Sequence, residues 1–408
     1  MGGSCCSTRI DSREPEGGVK ITLATEVFPP KAGGAGWSAL ALALALKDAG
    51  HEVQVLTTAA GPAVERDVPV VRLPSISGPF RRGRMVETFR SAIERHGLDA
   101  DVVHAQHSLS ALGALNLNPR PRTIVTVRDH WPVCFWSTRM SQGALCPACS
   151  TASMWRCIQG RLPLMTAPVA VPYMKWDLAD KRAALGRADG VIAVSEAIAV
   201  EVRSAGFPGA QVIPNIVDAT EAEQIAAEAP SIDLPDRFVL FVGKLEANKG
   251  ASLLIPALAR SKVRLPLVIL GDGSGEAGIR AQAARQGIEV VTPGWAERAD
   301  VLRAMKRAEV LAFPSTWPEP LSRVLLEALA LGTPVAAMDT GGTAELIQHG
   351  TSGLLAQSVE DLGDALARIV DDSRMRAHLK EGARQRARAF SPEMLVPKYL
   401  SLYEGKKS

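Results

Sequence analysis

The stretch FVLFVGKLEANKGASLL, residues 238–254, decides the fold, because a pattern already used once begins again there. It reads as an apolar run ending at a glycine, a loop with two lysines, and the start of a helix. Just before it, IVDATEAEQIAAEAPSIDLPD (216–236) is acidic, ends in a proline-containing stretch and has no β-forming run. We read 217–236 as a linker. Upstream, VKITLAT, HEVQVLTT, VPVVRLP, DVVHAQ, TIVTVRD, GVIAVS and QVIPN have strand composition and alternate with Ala- and Leu-rich helical segments. Downstream the rhythm returns in LPLVILGDG, IEVVTPG, EVLAFPS, TPVAAMD and SGLLA. Continuous apolar strands separated by helices make parallel sheets covered on both faces. The expected architecture is α/β, with two doubly wound domains facing a central cleft. The first spans 19–216 and the second 237–385. Residues 1–18 are expected as a disordered tail. Residues 386–408 are expected as a terminal helix packing back on the first domain, opened by Ser391-Pro392.

Length and charge narrow the function. At 408 residues the chain exceeds one ordinary core. An apolar fraction of 47% with 22% charged residues describes a folded globular protein. A net charge of +3 gives no basis for a nucleic-acid partner, and RRGR at 81–84 reads as solvated loop. The purest apolar run, ALALALAL at 39–46, is too short to span a bilayer. Residues 1–18 are polar, without the apolar stretch of a secretion signal. MGGSCCST departs from the acylation pattern at Cys6, where Ser or Thr is required. A cytoplasmic protein is expected.

Tandem parallel sheets bind ligands at the carboxyl ends of their strands, so the loops there carry the search. In EVFPPKAGGAGWSAL, Gly33, Gly34 and Gly36 precede a helix near Trp37; such glycines let N–H groups converge on an anion, although the spacing is not GxGxxG. In the second loop Gly243, Lys244 and Lys249 suit a diphosphate; the plain alternative is two solvated lysines. The third is PSTWPEPLSRVLLEALALGTPV, residues 314–335. With Pro320 in the first helical turn, Glu319 is expected at the N-cap, with the free amides of Leu321 and Ser322 pointing outward. Glu327 would follow roughly 12 Å along the helix axis. That separation spans a sugar, a diphosphate and a ribose. The ordinary alternative is that Glu is simply favoured near helix N-termini.

Together these loops resemble family-4 retaining glycosyltransferases, whose two Rossmann-like domains form the GT-B fold. The resemblance runs from residue 19 along almost the whole chain. Its most specific part is FVGKLEANKG, LVILGDGSGE, FPSTWPEPLSRVLLEALALGTPVAAMDTGGTAEL and HGTSGLL, in family order and spacing, with VIPNIVD before the linker. It implies a nucleotide-diphosphate sugar donor bound mainly by the second domain, and a saccharide or lipid-linked acceptor met by the first. Glu319 would hold the hydroxyls of the transferring sugar, and Glu327 those of the ribose. Lys244 and Lys249 would neutralise the departing diphosphate, aided by the Leu321 and Ser322 amides and the Gly33–Gly34 loop. Gly341 and Gly342 match a family turn lining the same site, and Glu345 is carried over only as a helix cap. Fixed cations and oriented amides stabilise an oxocarbenium-like centre and its leaving group without a metal, so no catalytic cofactor is expected. DAD at 99–101 opens a strand and is not read as a metal motif. No Asp or Glu can be assigned as nucleophile, which leaves a front-face substitution with the departing phosphate taking the acceptor's proton. Two rival readings are a non-catalytic GT-B subunit and a GT-B epimerase or phosphorylase.

Two departures stand out. The family commonly has Arg where Lys244 stands, and His-Asp where this chain has Arg128-Asp129, with His130 one place later. Asp129 and Arg128 are therefore taken as acceptor-side residues, and the histidine's role is not carried over. An insertion of about 130–175 holds Cys134, Cys146, Cys149 and Cys157, whose CxxC with two flanking cysteines is read as a structural zinc site or as four packed thiols. The same region supplies Trp131, Trp136, Trp155, Tyr173 and Trp176. These are read first as a satellite core and second as a peripheral contact with the inner face of a membrane.

Overall fold

A computed structural model describes residues 18–405. The expected N-terminal tail, Gly18 apart, and residues 406–408 lie outside the described residues. Two open sheets carry the chain. The first has eight strands centred on Lys20–Thr25, buried along its whole length except Lys20. Parallel neighbours flank it, Glu52–Thr57 on one side and Val102–Ala105 on the other. Arg122–Val127, Gly190–Ala193 and Gln211–Val212 extend the second side. Val68–Arg72 extends the first, edged by the short antiparallel Val64–Glu65.

The second sheet has six strands, all parallel, with Val239–Val242 between Leu267–Leu270 and Val310–Phe313. In both sheets the first strand of the domain is central, and the winding reverses beside it. Side chains of both flanking loops diverge at such a reversal and open a crevice. The crevices lie between Lys20–Thr25 and Val102–Ala105, and between Val239–Val242 and Val310–Phe313. Every residue of Val310–Phe313 is buried, as expected of a strand covered by helices on both faces.

The acidic stretch expected as a linker contains a helix, Ala219–Ala226. Ala and Glu are strong helix formers, and the Asp218 carboxylate accepts the N–H groups of Thr220 and Glu221 at its start. The helix packs on Arg298–Arg307 and Arg323–Leu331 of the second domain. At the other end, Pro392–Tyr403 returns to the first sheet, with Tyr403 Oη 2.7 Å from His104 Nδ1 and Tyr399 fully buried. The chain thus passes between domains twice. The two passages touch, Val217 N–H donating to the Phe390 carbonyl at 2.9 Å. No helix among the described residues is long and apolar enough to cross a membrane.

Candidate active site

A pocket of about 240 Å³ lies between the two crevices. Gly34, Arg128 and Asn215 line it from the first domain, and Lys249, Trp317, Glu319, Leu321 and Ser322 from the second. The second domain's two loops are tied together, since the N–H groups of Thr316 and Trp317 both donate to the Asn248 carbonyl at 3.1 Å. Gly250 permits this: its φ is +68°, and a Cβ there would sit 2.1 Å from the Pro314 oxygen.

Glu319 is 4% exposed. Its Oε1 accepts from Lys249 Nζ at 2.6 Å and from Ser315 Oγ at 2.7 Å. Lys249 also sits 4.5 Å over the Trp317 ring, a cation–π contact that fixes the ammonium laterally. The Gly341–Gly342 turn holds the acid's backbone. Gly341 has φ +54° and a Cβ there would meet the Glu319 oxygen at 2.3 Å, while Gly342 N–H donates to that oxygen at 2.7 Å.

The helix after Glu319 begins later than expected. It runs Arg323–Leu331, and Ser322 is the N-cap, its hydroxyl accepting the Leu325 N–H. A serine caps better than a glutamate, and the glycine turn keeps Glu319 outside the helix. Leu321 and Ser322 therefore precede the first turn, and the helical spacing expected between the two acids does not apply. Gly34 starts the 15-residue helix Gly34–Asp48, and a Cβ on Gly34 would lie 2.8 Å from Arg323 Cβ. Two helix N-termini thus meet at the pocket, and both favour an anion there.

Glu327 is buried but does not line the pocket. Its Oε1 accepts from Arg298 Nε at 2.8 Å and Arg323 Nε at 3.1 Å, and Arg298 goes on to Glu221 at 2.9 Å. Burial lowers the Arg298 pKa, yet Glu327 and Glu221 outweigh it and raise the group above its usual value. Lys244 is exposed at the strand's end; neither it nor Gly243, Gly33, Gly341, Gly342 or Asp129 lines the pocket. Arg128 does. It donates to Gln106 and Asn215, and burial, reinforced by Arg323, brings its pKa down to about 10. Asp129 accepts the Trp131 N–H at 2.8 Å, and burial pushes its carboxyl up.

Several contributors were not anticipated. Ser315 and Trp317 stood in plain view inside the quoted stretch, but their contacts depend on the tertiary fold. His130 places Nε2 3.0 Å from the Pro318 carbonyl and Nδ1 2.7 Å from Glu201 Oε2. Trp317 Nε1 donates to the Thr138 carbonyl at 2.7 Å. Both contacts join the first domain's insertion to the loop that carries Glu319. Glu345 caps across the domains, accepting the N–H groups of Glu196 and Ala197 at 2.6 and 2.8 Å.

The insertion keeps its four cysteines as free thiols. Cys134, Cys146 and Cys149 line one cavity of about 290 Å³, and Cys157 accepts from Arg161 Nη1 at 2.6 Å. Among the described residues no three His, Cys, Asp or Glu side chains are grouped to hold a metal ion. The aromatic residues divide: Trp131 is buried and Trp136 packs on the cluster of Met154, Ile158 and Met174, whereas Trp155, Tyr173 and Trp176 are exposed.

D-inositol 3-phosphate glycosyltransferase of Jonesia denitrificans is 31% identical over 223 residues, covering 50% of this chain and 51% of that protein. The N-acetylgalactosamine-N,N'-diacetylbacillosaminyl-diphospho-undecaprenol 4-alpha-N-acetylgalactosaminyltransferase of Campylobacter jejuni is 33% identical over 185 residues, covering 44% and 49%. The chain thus spans about half the length of these curated relatives. Among solved structures, HepE of Anabaena in complex with UDP matches at a TM-score of 0.68 and 22% identity, covering 94% of this chain and 100% of that one. Sucrose-phosphate synthase of Thermosynechococcus elongatus matches at 0.70 and 21%, covering 94% and 98%. The family model Glycosyltransferase Family 4 matches residues 32–221 and Glycosyl transferases group 1 matches 223–386. The chain belongs to the group 1 and family 4 glycosyltransferases and has their GT-B fold.

Proposed function

We propose that this chain transfers a hexosyl group, with retention, from a nucleotide-diphosphate sugar to a saccharide or lipid-linked acceptor, without a catalytic metal. The observation that carries the reading is the Ser315–Glu319–Lys249 contact at a pocket where two helix N-termini meet. Glu319 Oε1 is taken by Lys249 and Ser315, so Oε2 is the atom offered to the sugar's hydroxyls. Lys249 and the amides of Leu321, Ser322, Gly33 and Gly34 stabilise the diphosphate as negative charge moves onto it. Lys244 joins them by rotating in from the strand's end. Arg128 and Asp129 face the acceptor, and the departing phosphate takes the acceptor's proton on the front face. Glu327 holds the ribose through the oxygen its arginines leave. HepE was solved with UDP and with UDP-glucose, which favours trying uridine nucleotides first. The work is placed in the cytoplasm, at the inner face of the membrane.

The rival is a non-catalytic subunit that only binds a nucleotide sugar. A thermal-shift panel with UDP, GDP, ADP, TDP and CMP, followed by donor-turnover assays, separates the two. A ligand at a hundred times its Kd should stabilise the fold by about 2.7 kcal/mol. Glu319→Gln and Lys249→Ala should each lower kcat by roughly 100-fold. A nucleotide that binds without turnover supports the subunit reading. Equal, negligible effects of both variants sink the assigned chemistry.

A further inference from the structure

Lys249, Arg323 and Arg128 line the pocket between the domains, and two of these cations have an acid of their own. Lys249 is paired with Glu319 and Arg323 with Glu327. Arg128 is not paired. It leaves the end of strand Arg122–Val127, part-buried and open to the pocket, and no carboxylate acts on it among the described residues. Its partners are two neutral amides: Nε and Nη2 donate to Gln106 Oε1, and Nη1 donates to Asn215 Oδ1. Asp129, next in sequence, turns instead to the Trp131 N–H. The charged neighbour that Arg128 does feel is a second cation, Arg323. A cation drawn out of water without a counter-ion is costly. Burial brings its pKa down to about 10, which leaves it charged near neutral pH.

The amides fix the guanidinium and leave one N–H unused on each terminal nitrogen. Two such donors suit the two oxygens of a carboxylate or a phosphate. Other donors here lack an acceptor too. Ser38, one turn in from Gly34 on helix Gly34–Asp48, lines the pocket at 2% exposure. Neither its hydroxyl nor Gln106 Nε2 has a hydrogen-bond partner among the described residues. Arg128 and Ser38 enter from the first domain, whereas Lys249 and Glu319 enter from the second. A sugar between the domains therefore has a carboxylate for its hydroxyls on one side and an uncompensated cation on the other.

We propose that Arg128 selects an anionic sugar, one whose carboxylate or phosphate takes the two unused N–H groups. The inference rests on the glycosyl-transfer reading of this pocket and adds the charge of the sugar it accepts. Titration calorimetry on the full chain tests it in two arms. The donor arm compares UDP-glucuronate with UDP-glucose. The acceptor arm compares glucose 6-phosphate with glucose, with and without UDP. In one arm the anionic sugar is expected to bind at least about tenfold more tightly than its neutral counterpart. That arm tells whether the charge belongs to donor or acceptor. Arg128→Gln should bring the ratio close to one, with a smaller loss for UDP alone. Arg128→Lys should keep an intermediate preference, because the charge stays and the fork is lost. A parent indifferent to the charge in both arms overturns the proposal. So does a ratio unchanged in Arg128→Gln, or an equal loss of UDP affinity, which would assign Arg128 to the diphosphate. Turnover of UDP-glucose by a charge-indifferent parent leaves glycosyl transfer standing and removes the anionic sugar. A charge preference without turnover does the reverse.

Discussion

Glu327→Gln should lower the melting temperature of the nucleotide-free protein well before any effect on ligand binding is considered. Its carboxylate is shared by Arg298 and Arg323, and the three side chains are 5%, 9% and 5% exposed. Neutralising it leaves Arg323 with the Ile216 carbonyl at 2.6 Å as its remaining partner, while Arg298 keeps Glu221. Removing one partner of a buried ion pair costs about 3–5 kcal/mol. Gln still presents an acceptor oxygen and Arg298 is still paired, so the low end applies, about 3 kcal/mol. At roughly 2–4 °C per kcal/mol for domains of this size, the Tm should fall by about 6–12 °C. Differential scanning calorimetry on nucleotide-free protein reads this directly. Arg323→Met/Glu327→Met should recover much of the loss, because an apolar pair removes both buried charges together. A Glu327→Gln Tm within about 2 °C of the parent, or a double variant no better than the single one, would refute the reasoning. UDP affinity measured well below both melting temperatures then isolates any contact with ribose.

Other outcomes are equally open to measurement. Gly341→Ala forces a side chain into a left-handed turn against Glu319 and should cost about 1–3 kcal/mol; turnover should fall more than nucleotide affinity, and full activity would free Glu319 from dependence on that turn. The Glu26 carboxyl is pushed up by burial, with Asp129 adding to the effect. A raised carboxyl stabilises the fold below its unfolded pKa and loses that contribution as pH rises through its folded value. Glu26→Gln, which keeps an acceptor for the Leu109 N–H, should thus raise Tm at about pH 8 and leave it nearly unchanged at about pH 4; the reverse pattern would contradict the burial argument. If Cys134, Cys146, Cys149 and Cys157 hold a structural zinc, elemental analysis of the purified protein should find about one per chain. A folded, metal-free protein would assign them to packing.

Both sheets were legible because parallel strands buried on two faces leave short apolar runs rich in Val and Ile, whereas the equally apolar helical run at 39–46 is built of Ala and Leu. The Lys249 and Glu319 loops were legible because they leave adjacent strands at a reversal of winding. What the chain concealed depends on partners far away in sequence. Glu327 reads as an acid on a helix, and only folding brings it to Arg298, 29 residues away. Glu319 and Ser322 compete for one cap within four residues, and the Gly341–Gly342 turn decides the outcome from outside the segment. The helix Ala219–Ala226 was hidden by its acidity, although Asp218 announced its start. The exposure of Tyr173 and Trp176 could not be read either. Their spacing is that of a core face, and the buried stripe beside them has the same period.

The bonded pair Val217 and Phe390 also lies where the two domains would pivot, since both chain passages cross there. Two chain passages pinned side by side form the natural hinge, and a rotation of the domains about that pair would resemble the opening of a book's covers. Opening along it would part Trp317 from Thr138 and His130 from Pro318 together. On the proposed reading, entry of a donor and assembly of the loop around Glu319 would be one motion.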